Sequence, residues 1–339
     1  MIIDFAKTKA ISVNSNLYAN QAEAKSASVM QVNLVKNNYT GLIFNNSFDP
    51  AKAVYNRHYN NDQSASAEFL NHMMSVKNIL KKHFKKSVIE IGCGKGQFLE
   101  ILEKEGFDVF GFDPTYEGHN PKVFKEFFDF ETNKKETDYV LRHVLEHIPK
   151  PSDFLNRIQP KTGLVYIEVP SFEWIIENNA WYDITGEHVN YFTLESLQNL
   201  FEKIKESGFL FQGQYIYVIG DLANLKNAPN ENITDLEFKG NVDFKSIFKD
   251  RKNIVVWGAA GKGITFCYQA FLNGYEPKML IDINEKKWGL FVPGSGLEIS
   301  KPSDIQKLVP EKTVVLIANK VYLNEVRNLI GDKFEFCTL

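Results

Sequence analysis

Residues 87–99, SVIEIGCGKGQFL, decide the fold of this chain. Ser87–Ile91 has the apolar, β-branched composition of a short buried strand, and the glycine-rich turn Gly92–Gly96 follows it directly. A helix is predicted over Gln97–Glu105 and a second strand over Asp108–Phe112. Glycines at such a junction let the backbone turn tightly and approach a ligand closely. The series of strand, turn, helix and strand predicts the first unit of a parallel α/β sheet.

Two carboxylates mark the ligand-binding edge of that unit. Glu90 lies at the carboxyl end of the first strand and Asp113 ends the second, and open α/β sheets bind ligands at this edge. A carboxylate at 113 can accept hydrogen bonds from both hydroxyls of a ribose. The turn lacks the Gly-Lys-Ser/Thr ending of a P-loop, and in Gly92-x-Gly94-x-Gly96 the third glycine comes one residue early for a dinucleotide fingerprint. The pattern therefore favours S-adenosylmethionine over NAD as the cofactor.

Strands and helices continue to alternate along the chain. A helix is predicted from Ser64 to Lys86, before the first strand. The later predicted elements are strands at Tyr139–Leu141 and Leu164–Val169, helices near Asp153–Ile158 and over Leu194–Ser207, and a hairpin of Phe209–Gln212 with Gln214–Ile219. Residues 1–60 are rich in Asn and Ser and are predicted to be irregular. Residues 221–250 are predicted to form a linker with one short element.

A second α/β unit is predicted in the last third of the chain. Asn253–Trp257 is a predicted strand, followed by a second glycine-rich turn, Gly258–Gly263, and a helix to Leu272. Further strands are predicted at Lys278–Ile283 and Thr313–Ala318. The fold class is therefore α/β, a doubly wound sheet with a second, smaller Rossmann-like domain at the C-terminal end. The second turn, with Lys262, either faces phosphate groups at a helix N-terminus or is a tight structural turn.

Composition excludes several classes of function. The chain has 339 residues, 44% hydrophobic and 24% charged, an ordinary balance for a globular protein of two or three domains. With 39 basic and 42 acidic residues the formal net charge is -3, so no general attraction to nucleic acid or membranes follows. The N-terminus has no signal-peptide pattern and no stretch reaches ~20 apolar residues, so a cytoplasmic protein is expected. Cys93, Cys267 and Cys337 form no CxxC pair and predict neither a disulfide framework nor a cysteine zinc site.

Two clusters of titratable side chains carry the candidate chemistry. RHVLEH, residues 142–147, follows a predicted core strand, and His143 there could orient a cofactor or substrate; alternatively, the charged side chains after it begin a helix. Glu187 and His188 are adjacent in the loop after the next strand. Histidine titrates nearest neutrality, and a neighbouring carboxylate can orient it and raise its basicity, so this pair predicts a general base. A solvated loop is the other interpretation.

Together these segments resemble class I S-adenosylmethionine-dependent methyltransferases of the sugar C-methyltransferase family. The segments that carry the resemblance are VIEIGCGKGQFL, GFDP, RHVLEHIPKPSDFL, IEVPSF, EHVNYFTLESL, GQYIYV, VVWGAAGKGITF, IDINEKKWG and VPGSG. The resemblance covers nearly the whole chain and implies three parts. These are a degenerate zinc-ribbon-like region over 1–62, a methyltransferase core over 63–220 and a Rossmann-like domain over 221–339.

The resemblance also implies roles for individual positions. The implied cofactor-binding residues are Glu90, Gly92, Gly94, Gly96, Asp113, Asp129, Phe130, Tyr59 and Gln63, with Asp129 and Phe130 beside the adenine. The implied catalytic residues are His188 as general base, with Glu187 and His143. Substrate contacts are expected from Tyr191, Tyr182 and Lys262.

Two departures from the family pattern matter. The tyrosine that often precedes the Glu-His pair is replaced by Thr185 and Gly186, so its role is vacant or filled by Tyr182 or Tyr191. In the N-terminal region, Val35–Asp49 resembles the zinc ribbon, but Lys, Asn, Tyr and Thr stand in the ligand places. Structural zinc sites usually use cysteine, so no metal is expected.

The sequence therefore predicts an enzyme, a methyltransferase that acts on a nucleotide-linked sugar and methylates a carbon next to a ketone with His188 as base. The missing tyrosine leaves open a sugar O-methyltransferase of surface polysaccharide biosynthesis. A catalytically inactive cofactor-binding scaffold is a second alternative, and a nicotinamide-dependent oxidoreductase, with Asp282 as ribose partner, is a third. The expected partner is a small molecule rather than nucleic acid or a membrane, and the sequence does not indicate an oligomeric state.

Overall fold

The computed structural model describes residues 2–85, 87–130, 137–159, 161–226, 232–249 and 253–339. Its strands are β1 (Ile2–Asp4), β2 (Lys7–Ile11), β3 (Val29–Asn37), β4 (Ile43–Asn45), β5 (Ser87–Ile91), β6 (Asp108–Phe112), β7 (Val123–Phe124), β8 (Asp138–Arg142), β9 (Leu164–Pro170), β10 (Asn190–Tyr191), β11 (Ile204–Leu210), β12 (Tyr215–Asp221), β13 (Ile233–Asp235), β14 (Lys239–Asn241), β15 (Asn253–Trp257), β16 (Met279–Ile281), β17 (Ile299–Ser300), β18 (Thr313–Ile317) and β19 (Glu335–Thr338). Its α-helices are α1 (Gln21–Lys25), α2 (Ala67–His83), α3 (Gln97–Lys104), α4 (Pro151–Arg157), α5 (Phe172–Glu177), α6 (Leu194–Gln198), α7 (Phe244–Ile247), α8 (Gly261–Leu272) and α9 (Leu323–Ile330).

The described part of the core is built on a seven-stranded sheet in the order β11-β12-β9-β8-β5-β6-β7. Strands β9, β8, β5, β6 and β7 run parallel, while β12 and β11 form an antiparallel edge. Since β5 pairs with β6 on one side and β8 on the other, the strand order reverses at β5. Doubly wound sheets bind ligands at such a reversal, and Gly92–Gly96 begins there. The predicted α/β fold class is confirmed.

Helix α2 covers one face of this sheet. Its N-cap is Ser66, whose hydroxyl accepts a hydrogen bond from the backbone N of Phe69. The buried residues Phe69, Met73, Val76 and Leu80 recur at three- and four-residue steps and join a hydrophobic cluster with α3 and β5. The predicted helix is confirmed, with a later start and an earlier end. No helix in the described ranges is long and apolar enough to cross a membrane.

A second sheet, entirely parallel, has the order β17-β16-β15-β18-β19. Its order reverses at β15, and α8 begins within the predicted second turn, at Gly261, so that Gly261 to Gly263 form the first turn of the helix. The helix packs closely on that turn, because a Cβ built on Gly263 would lie 1.9 Å from the carbonyl oxygen of Gly258. The predicted smaller C-terminal Rossmann-like domain is confirmed.

The helix predicted over Leu194–Ser207 is wrong beyond its first five residues, where α6 ends and β11 soon follows. Phe201 is 1% exposed and packs on Gly220 of β12, where a Cβ would lie 2.3 Å from its ring. Gly208, predicted to follow the helix, is paired with Tyr217 inside the β11–β12 hairpin. Burial of Phe201 and this strand pairing outweigh the helical periodicity of the segment.

Residues 1–60, predicted to be irregular, contain β1 to β4 instead, with β3 paired to β2 and β4. Polar side chains hold their turns: Asn45 Oδ1 accepts hydrogen bonds from the backbone N of Asn33 at 2.9 Å and of Ser47 at 3.0 Å. The described part of the predicted linker 221–250 also supplies strands, because β13 pairs with β3 and β14 with β1. Local pattern misses β1, β13 and β14 because each pairs with a strand far away along the chain. It misses β2 to β4 because their segment is rich in Asn and Ser and resembles a loop. The boundaries of the three predicted regions stay predictions.

Gly263→Ala should lower the free energy of unfolding by about 1–3 kcal/mol, because the added methyl group overpacks the contact with Gly258. Urea unfolding of the two proteins measures this difference. Gly261→Ala is the matched control: nothing lies within 4 Å of its Cβ position, so its stability should be equal or up to about 1 kcal/mol higher. Equal losses in both variants would contradict the close packing of α8 on the turn.

Candidate active site

The first glycine turn leaves open space at the reversal of the central sheet. Gly92, Gly94 and Gly96 have φ values of 72°, 56° and 77°, in the left-handed region that favours glycine. A Cβ on Gly92 would lie 2.4 Å from Val144 Cγ2, whereas one on Gly94 would meet nothing within 4 Å. The backbone at Gly94 is therefore exposed to a ligand, as the sequence predicts for a cofactor-binding turn.

Two carboxylates flank this turn and differ in their bonding. Glu90 is 3% exposed, its Oε2 has no hydrogen-bond partner, and burial raises its pKa to about 8. Asp113 braces the turn: Oδ2 accepts a hydrogen bond from the N of Gly94 at 2.8 Å, and Oδ1 accepts two from Thr115. A carboxylate has about four acceptor positions, so Asp113 retains capacity for a ribose hydroxyl. The orphaned oxygen of Glu90 fits the cationic amino group of S-adenosylmethionine.

The structure places the two predicted adenine neighbours beside the end of β6. Phe112, the last residue of β6, contacts Phe128 with ring centroids 5.2 Å apart. Phe130 continues this aromatic cluster against Phe128 and lies under the guanidinium of Arg157, 4.1 Å from the ring centroid. Asp129 lies on the surface between the two phenylalanines. Phe130 therefore has a packing role in addition to any contact with a cofactor.

Residues 59–63, which precede α2, contact both the methyltransferase core and the C-terminal domain. Tyr59 is partly buried, and burial together with the nearby Glu187 carboxylate raises the pKa of its phenol. Gln63 Oε1 accepts a hydrogen bond from the Tyr322 hydroxyl at 2.8 Å. Asp62 Oδ2 accepts one from Gln97 Nε2 at 3.3 Å. The segment thus connects the cofactor turn with the C-terminal domain.

His143 is fixed between two buried carboxylates. It has a φ of 55°, which is uncommon outside glycine. Its Nδ1 lies 3.6 Å from Glu146 Oε1 and its Nε2 lies 3.3 Å from Glu168 Oε1. Burial lowers the pKa of His143, but the two carboxylates outweigh burial and raise it to about 9. The raised pKa favours the protonated form of His143, which has no free lone pair with which to act as a general base.

The predicted pairing of Glu187 with His188 is wrong. Glu187 is buried, and its Oε1 accepts a hydrogen bond from the backbone N of Asn14 at 3.0 Å. The pKa of His188 is lowered to about 3 by burial and by His147 and His143, although Glu146 acts in the opposite direction. Adjacency in sequence did not predict this, because successive side chains of a loop can point in different directions. His188 is accordingly a neutral imidazole.

His188 belongs to a cluster that the sequence only partly indicated. One carboxylate oxygen of Glu146 and one imidazole nitrogen each of His147 and His188 lie within 4.8 Å of one another. The rings of His147 and His188 meet edge to face at 4.9 Å. Within the described residues this is the group whose ligand-type atoms come close enough to share an ion. The expected absence of a metal stays a prediction.

The predicted substrate-binding residues have different surroundings. Lys262 lines the cavity, but its Nζ is paired with Asp183 Oδ2 at 2.8 Å and with Gln214 Oε1 at 2.9 Å. Tyr191 is buried, and its hydroxyl donates to the carbonyl oxygen of Thr185 at 2.9 Å. Tyr182 is 4% exposed. Neither tyrosine lines the cavity, so neither takes the place of the family's missing tyrosine there.

One cavity connects the histidine cluster with the second glycine turn. His143, Glu146 and His188 line one end, and Gly258 and Gly261 line the other. The cavity lies at the carboxyl ends of β8 and β9 and at the reversal of the second sheet, and the turn Gly92–Gly96 is not among its lining residues. Carboxyl ends of strands are where α/β folds bind ligands.

Asp282 is bound within the second glycine turn. Its Oδ2 accepts hydrogen bonds from the N of Ala259 at 2.8 Å and from Nζ of Lys287 at 3.1 Å, and Oδ1 accepts one from the N of Asn284 at 2.8 Å. Lys287 is 1% exposed, so this ion pair is part of the domain interior. The carboxylate braces the second turn, as Asp113 braces the first, and Asp282 also lines the cavity.

Asn14 supports the site from behind the cavity lining, and nothing in the sequence indicates this role. It is 1% exposed, and besides its contact with Glu187 its Nδ2 donates to Thr265 Oγ1 at 2.6 Å and to the carbonyl oxygen of Gly261 at 3.2 Å. An asparagine in an N-terminal loop carries no pattern that would connect it with positions 187 and 265. The N-terminal region thereby contacts both the candidate catalytic loop and α8.

Family models and a relative of known activity match this chain. A family model described as a methyltransferase domain matches residues 61–205, and one described as a C-methyltransferase C-terminal domain matches residues 241–326. The C-methyltransferase NovU of Streptomyces niveus is 22% identical over 312 residues, covering 77% of this chain and 74% of that protein. The chain is a class I S-adenosylmethionine-dependent methyltransferase.

Solved methyltransferase structures match about half of the chain. A methyltransferase from Archaeoglobus fulgidus is 19% identical, with a TM-score of 0.34, and covers 48% of this chain and 100% of that one. One from Anabaena variabilis is 15% identical, with a TM-score of 0.34, and covers 45% of this chain and 84% of that one.

The imidazole rings of His143 and His188 should titrate at very different pH values. We expect the His143 ring to lose its proton near pH 9, because two carboxylates flank it. We expect the His188 ring to gain a proton only near pH 3, because burial, His147 and His143 disfavour its charged form. NMR of imidazole-labelled protein measures both values, with His143→Gln and His188→Gln for assignment. Stability should therefore fall as pH rises from 6.5 to 9 in the wild type and fall less in His143→Gln. Two rings that both titrate near 6.5 would contradict this arrangement.

Proposed function

We propose that the enzyme methylates a carbon next to the ketone of a nucleotide-linked sugar, with His188 as the general base. One observation carries this proposal: a single cavity brings the neutral His188 imidazole together with the second glycine turn. S-adenosylmethionine, when bound, supplies an electrophilic methyl group and leaves as S-adenosylhomocysteine. The chain must then hold the acceptor in line with that methyl group and remove a proton.

A neutral His188 is suited to take the proton. A protonated histidine has no free lone pair, so His143, flanked by two carboxylates, cannot do this at neutral pH. His188 lines the cavity, and no carboxylate bond engages it among the described residues. A base of low pKa is weak, so part of its strength must come from groups that stabilise the imidazolium as it forms.

The far end of the cavity suits the nucleotide part of the acceptor. The first turn of α8, with Gly261, Lys262 and Gly263, lines the cavity there. Backbone N–H groups of a first helical turn lack intrahelical partners and attract phosphate oxygens. The ammonium of Lys262 is held by Asp183, so the backbone would make the main contact with phosphate. NovU, which is described as a C-methyltransferase, supports the type of reaction.

The test is exchange at carbon in deuterated water. Wild-type enzyme should exchange the proton next to the ketone of a 4-keto sugar nucleotide, and His188→Gln should slow this by at least about 10²-fold, because a general base contributes that much. Mass spectrometry of the recovered sugar measures the exchange. His83→Gln, which removes a histidine that pairs with Glu206 outside the cavity, is the control and should exchange at the wild-type rate.

Methyl transfer to a sugar that has no ketone would contradict the proposed C-methylation and indicate O-methylation. Tight cofactor binding without transfer to any acceptor in a panel of keto and hydroxylated sugar nucleotides would indicate the scaffold. An unchanged exchange rate in His188→Gln would remove His188 as the base.

A further inference from the structure

The carboxylate that lies near the His188 imidazole comes from a different loop than the sequence suggests. Glu187, its neighbour in the chain, points to the N-terminal loop and accepts the hydrogen bond from Asn14. Glu146, on the turn after β8, has an oxygen within 4.8 Å of an imidazole nitrogen of His188. Both Glu146 and His188 line the cavity. The described part of the cavity thus brings a carboxylate and the proposed base together.

Glu146 has an unused bonding position. The residue is 1% exposed, and its Oε2 has no hydrogen-bond partner. Its Oε1 faces Nδ1 of His143 at 3.6 Å. Burial disfavours the charge of Glu146, but His143, His147 and His188 outweigh burial and lower its pKa. A buried carboxylate with a free oxygen is costly unless a further cation or donor comes to it.

Backbone and side-chain hydrogen bonds fix the two loops relative to each other. The N of Val189 donates to the carbonyl oxygen of Glu146 at 2.9 Å. Nδ2 of Asn190 donates to the carbonyl oxygens of Leu145 at 3.1 Å and of Ile148 at 2.6 Å. His147 Nδ1 lies 3.1 Å from the carbonyl oxygen of Glu187. The spacing between Glu146 and His188 is therefore built into the fold.

We propose that Glu146 is the positioning residue of the base: it orients His188 and stabilises the imidazolium that forms when His188 takes the proton. This inference rests on the proposed function and deepens it. The C–H bond of the acceptor breaks, its proton binds to a His188 nitrogen, and its electron pair stays on the acceptor as an enolate. The enolate carbon then bonds to the methyl group, and His188 returns its proton to solvent. The positive charge on His188 is transient and lies beside the anionic Glu146.

Two other titratable side chains, His147 and His143, act on the charge of His188, and neither can replace Glu146. His147 and His143 are potential cations, which oppose protonation of His188. Glu187 is engaged by the backbone of the N-terminal loop. Glu146 is the group among these whose charge favours the imidazolium, so its removal should weaken the base without removing it.

Glu146→Gln tests the proposal, because it keeps the size of the side chain and removes its charge. Carbon exchange in deuterated water should fall by about 10²-fold, as expected for an impaired general base, while the Kd for S-adenosylmethionine stays within about twofold. Glu146→Asp should recover part of the exchange. Glu206→Gln removes the carboxylate of the His83 pair outside the cavity and should retain full exchange and cofactor binding.

NMR titration separates this inference from the proposed function. In Glu146→Gln the His188 pKa should be lowered further and that of His143 should fall as well, whether or not a substrate is found. An unchanged His188 titration, or full exchange in Glu146→Gln, would overturn the inference. Exchange lost on chelation and restored by Zn²⁺ would also overturn it, because the three side chains would then be ligands. If the wild-type enzyme exchanges no proton of any keto sugar, the proposed function is wrong. The NMR titration still decides whether Glu146 acts on His188.

Discussion

The charge of Glu168 in the middle of the central sheet constrains the whole active site. The residue is fully buried, and its carboxylate meets His72 Nε2 at 3.0 Å, Arg142 Nη2 at 3.2 Å and the Tyr166 hydroxyl at 2.7 Å. Burial opposes its charge, but Arg142, His72 and His143 outweigh burial and hold its pKa well below the usual range. Removing one partner of a buried ion pair costs about 3–5 kcal/mol, so α2, β8 and β9 are tied together by this carboxylate.

The geometry of the proposed base follows from that buried charge. Glu168 attracts His143 at the end of β8, where the backbone adopts the left-handed conformation. His143 in turn faces Glu146, which lines the cavity together with His188. Non-glycine residues in this conformation cost about 1–3 kcal/mol and persist where the surroundings determine them. A chain of opposite charges therefore runs from the interior of the sheet to the proposed reacting groups.

Local sequence signals predicted the parts of the molecule that local interactions determine. The strand, glycine turn and helix around Gly92–Gly96 follow from composition and from backbone conformations that favour glycine. The N-terminal strands did not follow, because an Asn-rich stretch looks like a loop while β13 and β14 complete its sheets from far along the chain. The partner of Glu187 did not follow either, because Asn14 is 173 residues away. Glu146 stood in a recognised motif, yet only the fold shows that its loop meets that of His188.

The nature of the bond formed by the transferred methyl group tests the central claim most directly. Enzyme, S-adenosylmethionine with a carbon-13 methyl group and a uniformly carbon-13-labelled 4-keto sugar nucleotide are incubated together, and the product is examined by NMR. The account predicts a methyl carbon with one-bond coupling to a ring carbon next to the ketone. A labelled methyl group that is attached to oxygen, with no one-bond carbon–carbon coupling, would contradict it.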